Sequence, residues 1–141
     1  MYDFKILSVD RVVDGDTVDL VLDLGFHIHK HERVRLAGVD TPEKRTRNLR
    51  EKQLGNDASD FVESWLAENT DLVVHTEKDG KYGRMLGWIY CGDVCLNHLL
   101  IDEGYAWQYV GGSRVDADDM ASLMLLLNKR GYDTWEDYAE R

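Results

Sequence analysis

From Phe4 to Val13 apolar and polar residues alternate loosely, and the apolar ones include Val and Ile, a pattern that predicts a β-strand. Asp14-Gly15-Asp16-Thr17 then reads as a turn, since Asp-Gly between strand-like segments is a strong hairpin signal. A second strand is predicted from Thr17 to about Asp23, a longer connection from Gly25 to His31, and a third strand from Glu32 to Val39. Side chains on a strand alternate between faces. Continued to Asp40, the third strand would show Arg35, Ala37 and Val39 on one face and Leu36, Gly38 and Asp40 on the other. Pro42 has no amide hydrogen to give to a ladder, so the strand must end there.

Lys44 to Gly55 is polar and basic without periodicity and is read as a loop. After it, Ala58, Phe61, Val62, Trp65 and Leu66 recur at the spacing of one helical face, with Asn56 or Asp57 placed to cap the helix. Leu72 to Thr76 is predicted as a fourth strand and about Arg84 to Tyr90 as a fifth, joined by a glycine-containing turn region. Leu96, Leu99 and Leu100 mark a short helix ended by Gly104. Tyr105 to Val110 is aromatic and extended. The last predicted helix, Asp116 to Arg130, begins with Asp116, Asp118 and Asp119 and ends with Lys129 and Arg130, an order that complements the helix dipole. Its core face is read as Met120, Leu123, Met124 and Leu127. Leu125 and Leu126 are left for Trp135 and Tyr138 of the tail, or another chain, to cover. Five strands and three helices in this order predict an α+β domain built on a small antiparallel barrel, occupying the whole of residues 1–141.

The apolar content is ordinary for a globular chain, and the longest apolar run, Leu123 to Leu127, is far too short to span a membrane. With no basic, then apolar, start to suggest a signal peptide, the expectation is a cytoplasmic protein. Cys91 and Cys95 flank a Gly-Asp turn and lack a second Cys/His pair, so free thiols are expected. His27, His29 and His31 alternate; a second metal site is weighed against a solvent-facing hairpin edge, and the edge is preferred. Charge changes the picture more. The chain carries a net −10, yet Lys30 through Lys52 holds eight Lys/Arg against four Asp/Glu, a local +4 that leaves −14 elsewhere. A polyanion would therefore be accepted on one side only.

That basic segment contains Arg35-Leu36-Ala37-Gly38-Val39-Asp40-Thr41-Pro42-Glu43. Asp16 from the first turn, Asp40 from the end of the third strand and Glu43 three residues later supply hard oxygen ligands suited to Ca²⁺ or Mg²⁺. Thr41 can add its backbone carbonyl. Arg35 and Arg84 offer planar forks able to hold phosphate oxygens, and Glu43 is placed to orient or deprotonate a water. Each has a plainer explanation alone, Asp14 and Asp16 as turn formers and Arg35 as a surface ion-pair partner. The combination points to phosphodiester hydrolysis.

Asp14-Gly15-Asp16-Thr17, then Arg35 with Val39 to Glu43, then Lys81-Tyr82-Gly83-Arg84, resemble in order the three signature segments of the staphylococcal nuclease (thermonuclease) family. The likeness covers roughly residues 5 to 110 and extends loosely over the last helix. It implies a five-stranded Greek-key barrel of the OB type with three helices. It also implies one Ca²⁺ held by Asp16, Asp40 and the Thr41 carbonyl, a water-directed Glu43, and Arg35 and Arg84 on the scissile phosphate. Lys81 and Tyr82 match the pair that reaches a terminal phosphate, and Tyr109 is the nearest match to the base-stacking tyrosines. The chemistry implied is cleavage of the P–O5′ bond in DNA, and in RNA as well, leaving 3′-phosphates. A monomer is expected, with a weak dimer through the last helix and tail as the alternative. The other reading, a barrel that only binds nucleic acid or protein, is disfavoured because such modules lose the carboxylates or arginines retained here. An acidic member of such a family is expected to bind nucleic acid weakly and with steep salt dependence.

Overall fold

The computed structural model describes residues 2–77 and 85–141. Strand β1 (Tyr2–Asp14), β2 (Thr17–Asp23) and β3 (His29–Leu36) form an antiparallel meander. After β4 (Val39–Asp40) and α1 (Leu49–Glu68), β5 (Leu72–Thr76) pairs with the start of β1, and β6 (Met85–Cys91) pairs with β5. The ring closes where β6 runs parallel to β3, with Val34 opposite Met85 and Leu36 opposite Gly87. The expected five-stranded barrel is thus present, with one parallel seam. β7 (Val94–Cys95) extends it beside α2 (Leu96–Asp102). β8 (Trp107–Gln108) pairs with β4, and α3 (Met120–Lys129) and α4 (Trp135–Ala139) follow. Four helices are therefore found among the described residues instead of three, because Thr134 caps a short turn around Tyr138.

Burial explains the closure. Val18, Leu20, Leu22, Val34, Leu36, Val74 and Ile89 point inward and are fully buried, while Val62 and Leu66 of α1 cover one end with Leu96 and Leu100 of α2. β1 stays half-exposed. Its register with β2 shifts at three places, and each irregularity bends the strand so that it can pass from one side of the barrel to the other. A second cluster sits outside the barrel, where Leu54 and Trp107 meet Leu123, Leu126, Leu127 and Tyr138. Leu126 therefore belongs to the core face of α3, covered by the tail, while Leu125 is exposed.

Three segments differ from the sequence reading. The third strand stops at Leu36, because Gly38 takes a left-handed conformation (φ +76°) and the chain re-enters an extended state only at Val39. The face alternation expected through Asp40 is accordingly broken at this turn. α1 starts at Leu49, well before Asn56, because the Asn48 side chain accepts from the amides of Arg50 and Glu51 at 3.1 Å each. α3 starts at Met120, since Asp116 is spent on a local turn with Asp118 and Asp119 is the cap.

One buried polar residue ties the turn after β3 to the barrel. Asn97, with no exposed surface, donates to the carbonyls of Ala37 (2.8 Å) and Gly87 (3.0 Å) and accepts from the Ile89 amide (3.1 Å). Replacing it takes a partner from three backbone groups at once, of which the Gly87 carbonyl alone keeps another, the Ala37 amide. We expect Asn97→Ala to lower the unfolding free energy by about 2–4 kcal/mol in urea titration.

Candidate active site

The two-residue turn between β1 and β2 brings Asp16 to the barrel rim, where its carbonyl accepts from the Leu36 amide at 2.8 Å. Thr17 lies opposite Arg35 in the β2–β3 register. Asp16 and Arg35 are therefore neighbours: Arg35 Nη2 stands 3.5 Å from Asp16 Oδ2, and Nη1 donates to the Leu36 carbonyl at 2.7 Å. β4 then carries Asp40 and Thr41 past the same rim, and the Thr41 amide donates to Asp16 Oδ2 at 3.3 Å. The Asp16 and Asp40 side chains are only 7% and 1% exposed.

The corner Thr41-Pro42-Glu43 is held from outside by α1. The Glu43 amide donates to Glu51 Oε2 (3.0 Å), and Lys44 Nζ to Ser59 Oγ (3.3 Å). Gly55 lies so close that a Cβ there would stand 2.5 Å from the Glu43 carbonyl oxygen and 2.8 Å from that of Pro42. A glycine in mid-helix ordinarily weakens the helix. Here it lets the helix backbone press against the corner that presents Glu43.

Sequence reasoning did not single out Arg114, on the loop between β8 and α3. Its Nη2 lies 2.5 Å from Asp40 Oδ1, 3.1 Å from the Thr41 carbonyl and 3.8 Å from Asp16 Oδ2. Nε donates to Asp40 Oδ1 at 3.1 Å, and Nη1 contacts Glu43 Oε1. The neighbouring Val115 amide donates to Asp40 Oδ2 at 3.1 Å. Asn48 secures the loop further on through the Ala117 carbonyl and Asp118. The one local signal was that Arg114 is the sole Lys or Arg between Arg84 and Lys129, in an acidic stretch.

Electrostatics follow from this packing. Burial pushes the Glu43 carboxyl above its ordinary value, helped by Asp14 and Asp16 and opposed by Arg114. Burial also works against the charge on Arg114, but Asp40, Glu43 and Asp16 overcome it and hold the guanidinium more firmly protonated than a free one.

Among the described residues no three His, Cys, Asp or Glu side chains are gathered tightly enough to ligate one ion by themselves. Asp16, Asp40 and Glu43 meet through the guanidinium of Arg114 instead. The donor set still suits a hard cation: two buried carboxylates and the Thr41 carbonyl converge on one positive group, and Thr41 Oγ1 is buried beside them without a partner.

Tyr109 is half-buried on the same loop, its amide bonded to the Gly38 carbonyl and its hydroxyl donating to the Gly112 carbonyl at 2.8 Å. Lys81, Tyr82 and Arg84 lie outside the described residues. His29 and His31 are exposed on β3 and His27 lies in the preceding turn; His31 pairs with Asp10 at 2.6 Å, consistent with a hairpin edge. Cys91 and Cys95 are free thiols.

The profile of the family described as "Staphylococcal nuclease homologue" matches residues 33–134. The match encloses Arg35, Asp40, Thr41, Glu43 and Arg114, whereas Asp16 precedes it. The chain is 39% identical over 99 residues to a thermonuclease of Staphylococcus intermedius, covering 70% of this chain and 56% of that protein. It is 36% identical over 102 residues to an uncharacterized endonuclease of Escherichia coli O157:H7, covering 72% and 59%. To Endonuclease YncB of Bacillus subtilis it is 29% identical over 141 residues, covering 91% and 64%. The chain thus spans little more than half the length of the first two relatives.

The approach of α1 to the Pro42-Glu43 corner has a testable sign. Gly→Ala within a helix is normally stabilising by up to about 1 kcal/mol, but Gly55→Ala is expected to lower stability in urea titration, since backbone and not a flexible side chain stands in the way. Separately, Asp40→Ala removes the acceptor of the Val115 amide. Hydrogen exchange at that amide should speed up about ten- to a hundredfold, with Ile89 in the barrel unchanged.

Proposed function

The chain belongs to the family of staphylococcal nuclease homologues, and from that premise we propose that it is a Ca²⁺-dependent nuclease that hydrolyses phosphodiester bonds of DNA, and of RNA as a second substrate. The observation that carries this reading is the convergence of Asp16, Asp40, Thr41 and Glu43 on one point at the barrel rim, with Arg35 alongside.

In this reading Asp16, Asp40 and the Thr41 carbonyl hold the ion. Bound there, Ca²⁺ supplies positive charge beside the scissile phosphate. Arg35, mostly buried and already fixed by the Leu36 carbonyl, turns its remaining N–H groups to the phosphate oxygens, where negative charge grows as water adds. Arg84, outside the described residues, is the second fork expected from the sequence. Glu43 orients the attacking water and accepts its proton. The new bond would form between water oxygen and phosphorus as the P–O5′ bond breaks, the departing O5′ taking a proton from solvent and Glu43 returning its own to solvent afterwards, to leave a 5′-hydroxyl and a 3′-phosphate. Its half-buried position suits Glu43 to this role, because desolvation makes it a better proton acceptor than a free carboxylate. Tyr109 would stack on the base, and Lys81 and Tyr82 would reach a terminal phosphate. The basic segment Lys30 to Lys52 would guide the polyanion to this side of an acidic protein.

Single-stranded DNA, duplex DNA and RNA, each incubated with Ca²⁺, Mg²⁺ or a chelator, test the proposal. Products with 3′-phosphate ends are expected with Ca²⁺ and none with chelator. Arg35→Ala or Glu43→Ala should slow cleavage by roughly two to four orders of magnitude while the far-ultraviolet circular dichroism stays unchanged. Undiminished turnover in either variant, or 5′-phosphate products, would overturn the assignment. No product under any calcium condition would leave a binding module.

A further inference from the structure

Every oxygen proposed above to hold the ion is already a partner of Arg114. The guanidinium contacts Asp40 Oδ1 through both Nε and Nη2, the Thr41 carbonyl through Nη2 and Glu43 through Nη1, with Asp16 Oδ2 3.8 Å away. Its acceptors are fixed. Asp40 and Asp16 are almost wholly buried and tied to the barrel by β2, β3 and the Thr41 amide, whereas the Arg114 side chain is 52% exposed. It enters from the loop between β8 and α3, on the solvent side. The cation is therefore the party that can leave.

Ca²⁺ requires oxygen ligands at about 2.3–2.6 Å. A guanidinium held at 2.5–3.1 Å by the same Asp40 and Thr41 oxygens fills that space. Two cations cannot share it.

We propose that Arg114 is a tethered counter-cation that occupies the metal position in the metal-free protein and must be displaced for the metal to bind. The inference rests on the metal reading of the site given above. Two consequences follow. Arg114 sets the metal affinity, because the ion competes with a ligand that is always present at high effective concentration. Metal binding is also linked to the loop: the Val115 amide stays on Asp40 Oδ2 while its neighbour swings out, so the segment carrying Tyr109 responds to occupancy. Until that exchange the paired carboxylates are neutralised, and the metal-free fold does not suffer their mutual repulsion.

Arg114 acts through Asp16, Asp40 and Thr41 and is thus a positioning residue. Its test reads binding and stability, apart from turnover. Calorimetric Ca²⁺ titration of the wild type, Arg114→Ala and Arg114→Gln should show at least about tenfold tighter binding in the variants, since the competitor is gone. The thermal midpoint of the metal-free variants should fall, while the Ca²⁺-saturated midpoints match the wild type. Arg114→Gln keeps the loop's bulk and serves if the alanine variant fails to fold. Methylguanidinium at millimolar concentration should weaken Ca²⁺ binding to Arg114→Ala and leave the wild type unaffected. Equal or weaker Ca²⁺ affinity in the variants, or the same loss of midpoint with and without Ca²⁺, would show Arg114 to be merely structural and overturn the inference. Failure of all three proteins to bind Ca²⁺ would instead refute the metal reading itself, and the inference with it. Binding by the variants alone would support the exchange strongly.

Discussion

Asp16 and Asp40 sit at the rim of a barrel almost cut off from water, and an ionised carboxylate in that position is costly unless cations or several donors stand beside it. Much of the local structure answers that requirement. The Thr41 amide and Thr17 hydroxyl turn to Asp16, the Val115 amide turns to Asp40, and Arg35 and Arg114 bring the positive charge. A protein that needed only stability would place apolar groups there. In the function proposed above, the two buried acids, the Thr41 carbonyl and the partnerless Thr41 hydroxyl are kept together to receive a cation.

The barrel supplies the rigidity this arrangement needs. Asp16 comes from the β1–β2 turn, Arg35 from β3 and Asp40 from β4, and the seam between β3 and β6 fixes the strand that carries Arg35 and leads into β4. Asn97 locks the intervening turn to that seam through three backbone groups. Glu43 stands outside the barrel and depends on α1, which can approach closely because Gly55 has no side chain. Glu43 and the proposed ion ligands are thus held by different layers, one of helix and one of strands.

Much of this was legible in the sequence wherever the signal was local. The strand expected from Thr17 to about Asp23 after the Asp-Gly turn is β2, and that turn with the Asp-Thr-Pro-Glu corner marked the acids that the fold brings together. The start of α1 was hidden because its first two turns are basic and carry no apolar stripe; only the cap at Asn48 marks it. The break at Gly38 was hidden because a glycine inside an apolar run reads as strand until its left-handed φ is seen. Arg114 was hidden for a third reason. It meets Asp40 across 74 positions of sequence, through a short β4–β8 pairing that leaves no periodicity to read.

In the proposed exchange the oxygens of Asp16, Asp40 and Thr41 form one cation position, filled by Arg114 or by Ca²⁺ but not by both. Crystals grown with and without Ca²⁺ measure this directly. With the ion, electron density is expected about 2.3–2.6 Å from both carboxylates and the Thr41 carbonyl, with the Arg114 guanidinium withdrawn. Ca²⁺ bound elsewhere, or bound while Arg114 remains on Asp40, would contradict it.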